Sequence, residues 1–156
     1  MVKLNRFRIL LVLTCAYAVF LFYLSSLSSP PDPTQSRFLD MLLHFFEERD
    51  LEFLVYPFYP FYRYPDKAAH IVLYMNFGVL INFTLRASDN SGLKKRAELF
   101  SLTIGAFYGV VDELNQLFVP YRSPSIMDFM ADVLGLLIAQ VLVIGLLTLK
   151  KFYAGK

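Results

Sequence analysis

Two carboxylates stand side by side in an otherwise largely apolar run, GVVDELNQLFVPYR (residues 109–122), with Gln116 one helical turn beyond them. A charged carboxylate inside a bilayer is costly, so Asp112 and Glu113 mark a place where a counter-charge or a reaction is expected. Two further groups share their character. DKAAH (residues 66–70) supplies Asp66, Lys67 and His70, and the segment after Arg122 opens an apolar run with Asp128 and Asp132. Partly desolvated, Asp112 or Glu113 is placed to act as a general acid or base. His70 is the alternative proton carrier, oriented by Asp66 one turn away. Lys67 and Arg122 can hold a phosphate or a carboxylate, with Gln116, Asp128 and Asp132 completing the lining of a substrate site. No serine or cysteine sits in a nucleophile motif, and HExxH is absent. Carboxylates suit Mg²⁺ or Ca²⁺ better than zinc, but five of them beside two basic residues define no metal site, and the cofactor is left unknown.

These residues need elements to position them, and composition decides the solvent in which those elements form. The 156-residue chain is 56% hydrophobic and only 18% charged, with 16 phenylalanines and 10 tyrosines. Soluble domains are about half apolar and about a quarter charged. The expectation is an all-α membrane protein, a four-transmembrane-helix bundle. Its apolar segments lie near residues 7–27, 68–85, 99–119 and 129–149. Roughly 20 residues, each rising about 1.5 Å, cross the hydrocarbon core. The second segment is short and needs Asp66 and Lys67 at the interface. The first has a signal-peptide alternative, with KLNRFR as basic region and SLS as cleavage site; its unbroken length and its tyrosines fit a retained helix better. The single cysteine, Cys15, excludes an internal disulfide and a Cys-based metal cage. A net charge of +2 gives no footing for nucleic acid, and the expected partner is the lipid bilayer.

Orientation follows from the basic residues. Lys3, Arg6 and Arg8 precede the first segment, Arg86, Lys94, Lys95 and Arg96 follow the second, and Lys150, Lys151 and Lys156 follow the fourth. The positive-inside rule makes that side cytoplasmic, with both termini on it, and the protein a multi-pass component of the cell membrane. The chain then divides into an N-terminal basic flank and first helix (1–27), an extracytoplasmic loop (28–65), a three-helix region (66–149) and a basic tail (150–156). In the loop, SRFLDMLLHFFEERD spaces Arg37, Asp40, His44 and Glu47 as an amphipathic interfacial helix. The YPFYPFYRYP that follows is too proline-rich for a helix, and its aromatic rings suit the headgroup zone.

This topology brings the polar residues to one depth. Asp66, Lys67 and His70 lie at the outer end of the second span, and Asp128 and Asp132 at the outer end of the fourth. Asp112 is roughly 10 Å below the outer exit of the third. Facing agrees with depth: Gly105, Gly109, Asp112 and Gln116 form one stripe, Asp128, Asp132, Gly135 and Ala139 another, and Lys67, His70, Tyr74 and Gly78 a third. Small residues let membrane helices approach closely, so polar groups sharing their stripe point into the bundle. Glu113 is about 100° around the helix from Asp112 and faces Arg122 or a neighbouring helix.

DKAAH opening one span, followed by GVVDELNQLFVPYRSPSIMDFMADVLG, resembles the VanZ-like membrane family. The family pattern is D-K-x-x-H, then D-E-x-x-Q, an outer-turn arginine, and D-x-x-x-N before a glycine. Its elements fall here on Asp66, Lys67 and His70, on Asp112, Glu113 and Gln116, and on Arg122, Asp128 and Gly135, over about half the chain. Asp132 stands where the pattern has asparagine, which adds a carboxylate to the layer. The resemblance implies a cell-envelope membrane protein of a family named for glycopeptide-antibiotic resistance, and supplies no reaction.

Three readings of the polar layer remain open at this stage. As an enzyme, it would act on an envelope precursor or lipid-linked molecule in the outer leaflet through Asp112, Glu113, His70 and Asp66. As a binding or transport site, it would take a polar head group, with a homo-oligomer compensating for so few spans. As structure, it would only fasten the helices. Inner halves bearing little beyond Asn82, Thr84, Ser101, Thr103 and Gln140 argue against a through-pore and for a site that opens outward.

Overall fold

The structure, a computed structural model, describes residues 5–28, 44–46, 48–49 and 64–155. Five helices account for most of these residues: α1 Arg6–Ser25, α2 Pro65–Ala87, α3 Ser91–Lys95, α4 Ala97–Gln116 and α5 Ile126–Ala154, with no strand among the described residues. Local chemistry sets their starts. The Asn5 side chain caps α1, Pro65 occupies the first turn of α2, the Asn90 side chain accepts from Gly92 and Leu93 to start α3, and Ser125 caps α5. Of these, α1, α2 and α5 are long and apolar enough to cross a membrane. α4 has comparable length, but Asp112, Glu113, Asn115 and Gln116 make its last turn and a half polar.

The four expected apolar segments fall on α1, α2, α4 and α5 with shifted ends, and three of these helices are apolar enough to span. α2 begins three residues before the apolar segment and takes Asp66 and Lys67 into its first turn. α5 continues to Ala154, beyond the expected end near residue 149. Apolarity bounds only the lipid-facing part of a helix, whereas backbone hydrogen bonding continues into its polar flanks. The proposed interfacial helix lies mostly outside the described residues. Of it, residues 44–46 are helical, and the Arg49 guanidinium lies over the Phe45 ring at 3.8 Å.

α2 is the hub, packing most extensively on α5 and also on α1 and α4. Contacts between helix starts, Lys67 with Asp128 and His70 with Asp132, show that α2 and α5 run in the same direction. α4 runs against both, because Ser101 bonds the Gly78 carbonyl and Gln140 while Glu113 reaches Ser125. α1 runs with α4: Thr14 meets Thr84, the Tyr108 hydroxyl donates to the Ala18 carbonyl, and Ser25 donates to the Asp112 carbonyl. The core between them contains Leu21, Tyr74, Phe77, Ile81 and Leu136. The outward faces carry exposed Val19, Phe107, Met130 and Val141, as a lipid-facing surface requires.

One glycine fixes the closest approach. A Cβ at Gly135 would stand 2.3 Å from the Ile71 carbonyl oxygen and 2.9 Å from the Met75 nitrogen, so only glycine lets α5 meet the α2 backbone there. Below that crossing lies a closed polar network. Asn82 donates to Gln140 (2.7 Å), Gln140 to Ser101 (3.2 Å), and Ser101 to the Gly78 carbonyl (2.9 Å). Arg86 ties Asn82 to Glu98 at the end of this layer.

Candidate functional site

At the opposite end of the bundle, three helices deliver the titratable residues. Lys67 and His70 stand on one face of the first turns of α2, Asp112 and Glu113 near the end of α4, and Asp128 and Asp132 in the first turns of α5. Both α2 and α5 start at this end, so their unpaired N–H groups also favour negative charge here.

The centre of the layer is His70 with Asp112, Glu113 and Asp132. One nitrogen or oxygen from each of the four lies within 4.8 Å of the others. His70 Nδ1 is 2.8 Å from Asp132 Oδ1. The partner of His70 is therefore Asp132 on α5, in place of the expected Asp66. Asp66 is largely exposed and pairs with Lys67 at 2.9 Å. Lys67 also bonds Asp128, so the lysine closes α2 onto α5 at the rim and is not the counter-charge of Asp132.

Glu113 divides its carboxylate. Oε2 accepts the backbone N–H of Ser125 at 2.6 Å, and Oε1 accepts from Gln116 at 3.2 Å. It thus holds the start of α5 against the end of α4, while Ser125 caps α5 by accepting from the Asp128 N–H. Between these helices the chain turns through Tyr121, fully exposed and in the left-handed region at φ 64°. Arg122 is half-buried on the same turn.

Asp112 and Asp132 are the unusual members. Their relative exposures are 4% and 0%, yet Asp112 Oδ1 and Asp132 Oδ2 have no hydrogen-bond partner. The neighbouring Tyr74 hydroxyl, on a side chain 1% exposed, has none either. Among the described residues no lysine or arginine nitrogen comes within 4.0 Å of Asp112, Glu113 or Asp132. Gly109 provides space beside this group: a Cβ there would stand 3.2 Å from Asp132 Oδ2 and 3.5 Å from the Tyr74 ring. Buried polar groups are almost always satisfied, so three buried atoms without a protein partner in one layer set it apart from the rest of the bundle.

Of the nine residues expected at the site, the structure gathers His70, Asp112, Glu113 and Asp132 at the centre, with Gln116 attached through Glu113. Lys67 and Asp128 form the rim, Asp66 is at its exposed edge, and Arg122 is on the adjoining turn. Sequence reasoning missed Ser125, Ser25 and Asn115. Asn115 Nδ2 donates to Ser26 at 3.0 Å and joins α4 to α1. The SPS stretch before α5 was the available sign of a cap at Ser125.

A model of the VanZ/LLP1 family matches residues 10–148. No curated protein and no solved structure matches the chain.

Proposed function

The chain belongs to the VanZ/LLP1 family, and on that premise we propose that it is a four-span membrane protein whose polar layer opens to the extracytoplasmic side and binds the polar head group of a lipid-linked or envelope molecule. The observation that carries this reading is the layer's incompleteness: Asp112 Oδ1, Asp132 Oδ2 and Tyr74 OH are buried without partners at one end of the bundle. A layer that merely fastened helices would satisfy itself, as the network around Gln140 does. Arg122 on the adjoining turn and Lys67, shared at the rim with Asp66 and Asp128, are the positive charges nearest the headgroup zone, where an anionic group would enter. The closed network below argues against a path continuing through the bundle. Glycopeptide sensitivity of cells lacking the protein tests whether this binding bears on antibiotic resistance.

The site reading is tested by extracting the protein in native lipid discs and identifying retained molecules by mass spectrometry. One anionic lipid-linked species should be enriched over bulk lipid and lost in Lys67→Gln and Arg122→Gln. A lipid profile equal to bulk would refute the reading. Orientation is tested in a Cys15→Ala background: a cysteine at Ser123 should react with an impermeant reagent on intact cells, and one at Ser91 should not. Labelling at Ser91 alone would reverse the topology.

A further inference from the structure

We propose that His70, Asp112, Glu113 and Asp132 form a divalent-cation site of the Mn²⁺ or Zn²⁺ class. The four residues come from three helices, and one donor atom from each lies within 4.8 Å of the others. Ligand–metal distances of about 2.1 Å put neighbouring corners of an octahedron roughly 3.0 Å apart and opposite corners roughly 4.2 Å apart. The 2.8 Å between His70 Nδ1 and Asp132 Oδ1 is close to the first of these values. One pair thus already stands at coordination spacing, and the widest separation in the set, up to 4.8 Å, needs to close by only about half an ångström to fit around an ion.

A second observation points to a ligand independently of the acidic clustering. Asp112 Oδ1 and Asp132 Oδ2 are buried without a well-formed hydrogen bond from the protein, and the buried Tyr74 OH beside them is likewise unpaired. Three carboxylates withdrawn from water stay ionised only beside compensating positive charge. Lys67 is engaged by Asp66 and Asp128, and the described residues offer only His70 at the centre. A divalent ion would supply both the charge and the missing partners of the two aspartates. The imidazole selects the ion class, because nitrogen ligands favour first-row transition metals over Mg²⁺ and Ca²⁺, while three oxygen donors keep Mn²⁺ competitive with zinc. Asp132 has a specific part here: an asparagine at this position would offer the ion a neutral amide oxygen in place of a carboxylate. Four protein ligands leave an octahedral ion about two open positions, suited to oxygen atoms of an anionic head group. The ion site stands on its own geometry and does not depend on the head-group reading.

The test uses full-length protein in detergent, stripped with chelator and titrated with Mn²⁺, Zn²⁺ or Mg²⁺ alone. Loss of the free Mn²⁺ resonance and calorimetry with Zn²⁺ should each report one ion per chain, with Mg²⁺ binding at least tenfold weaker. Asp112→Asn, Asp132→Asn and His70→Gln should each weaken Mn²⁺ binding tenfold or more, and Glu98→Gln at the opposite end should leave it unchanged. Size-exclusion profiles and circular dichroism identify any variant that misfolds, and Glu113→Gln provides a further conservative change. No saturable binding to folded, stripped protein, or equal binding by folded Asp112→Asn and Asp132→Asn variants, would overturn the site. Lipid retained by metal-free protein that binds no ion would remove the ion and keep the head-group reading. Ion binding without lipid enrichment would do the reverse.

Discussion

At one end of the bundle Asn82, Ser101 and Gln140 bury their polar groups, and each finds a partner on a neighbouring helix. About 12 Å away along α5, measured from Gln140 to Asp132, Asp112 and Asp132 bury carboxylate oxygens that find none. The same three helices, α2, α4 and α5, build both layers. The difference lies in side-chain chemistry. Amides and hydroxyls both donate and accept, so a few of them can close a network among themselves. A carboxyl group has at most one donor to set against its acceptor sites, so three of them with one histidine leave acceptors in excess. The first layer closes on itself within the bundle, and the second leaves buried acceptors unpaired within the protein.

The largest effect should come from the contact that holds the two layers in register. Gly135→Ala drives a methyl group into the Ile71 carbonyl and the Met75 nitrogen, backbone atoms that cannot rotate away. A loss of about 3 kcal/mol or more is expected, read as reduced folded yield and a lower detergent melting temperature. Melting like the parent would mean that α2 and α5 do not approach this closely, and the register of both layers would lose its support.

The sharpest contrast compares one variant from each layer. Gln140→Ala removes a partner from both Asn82 and Ser101 and should destabilise by about 1–3 kcal/mol. Asp112→Asn, measured in chelator, should cost nothing, because an amide replaces an unpartnered buried carboxylate; its effect should appear as lost ion or head-group binding. Equal destabilisation by the two changes would erase the distinction between the layers.

Coupling within the open layer should be smaller. A double-mutant cycle of His70→Gln with Asp132→Asn is expected to give about 1 kcal/mol of interaction, and one of Lys67→Gln with Asp132→Asn only about 0.3. The reverse order would make Lys67 the counter-charge of Asp132. The smallest effect belongs to Glu98→Gln, which weakens a half-exposed pair with Arg86 and should change melting stability by less than about 1 kcal/mol.

The sequence by itself determined the apolar character of the chain, the approximate helices and the common level of the polar residues. Each of these follows from one-dimensional quantities: apolar run length, the rise per residue, and the 3.6-residue period that places Gly109 on the stripe of Asp112 and Gly135 on that of Asp132. The family likewise was legible in the order of DKAAH, DELNQ and the aspartates of α5. Pairing was not. Asp66 lies four residues from His70 and is the natural local candidate, yet the N-terminal turn of α2 puts Asp66 at the exposed rim while α5 brings Asp132 to 2.8 Å. Lys67 was open to several carboxylates, and the parallel starts of α2 and α5 gave it Asp128. Asn82, Ser101 and Gln140 read as scattered polar residues until three helices placed them in one network. Helix period fixes which face a residue occupies. Which residue meets it across the interface depends on the relative rotation and offset of two helices, set by close contacts such as Gly135 on the backbone of Ile71, and only the tertiary structure decided those.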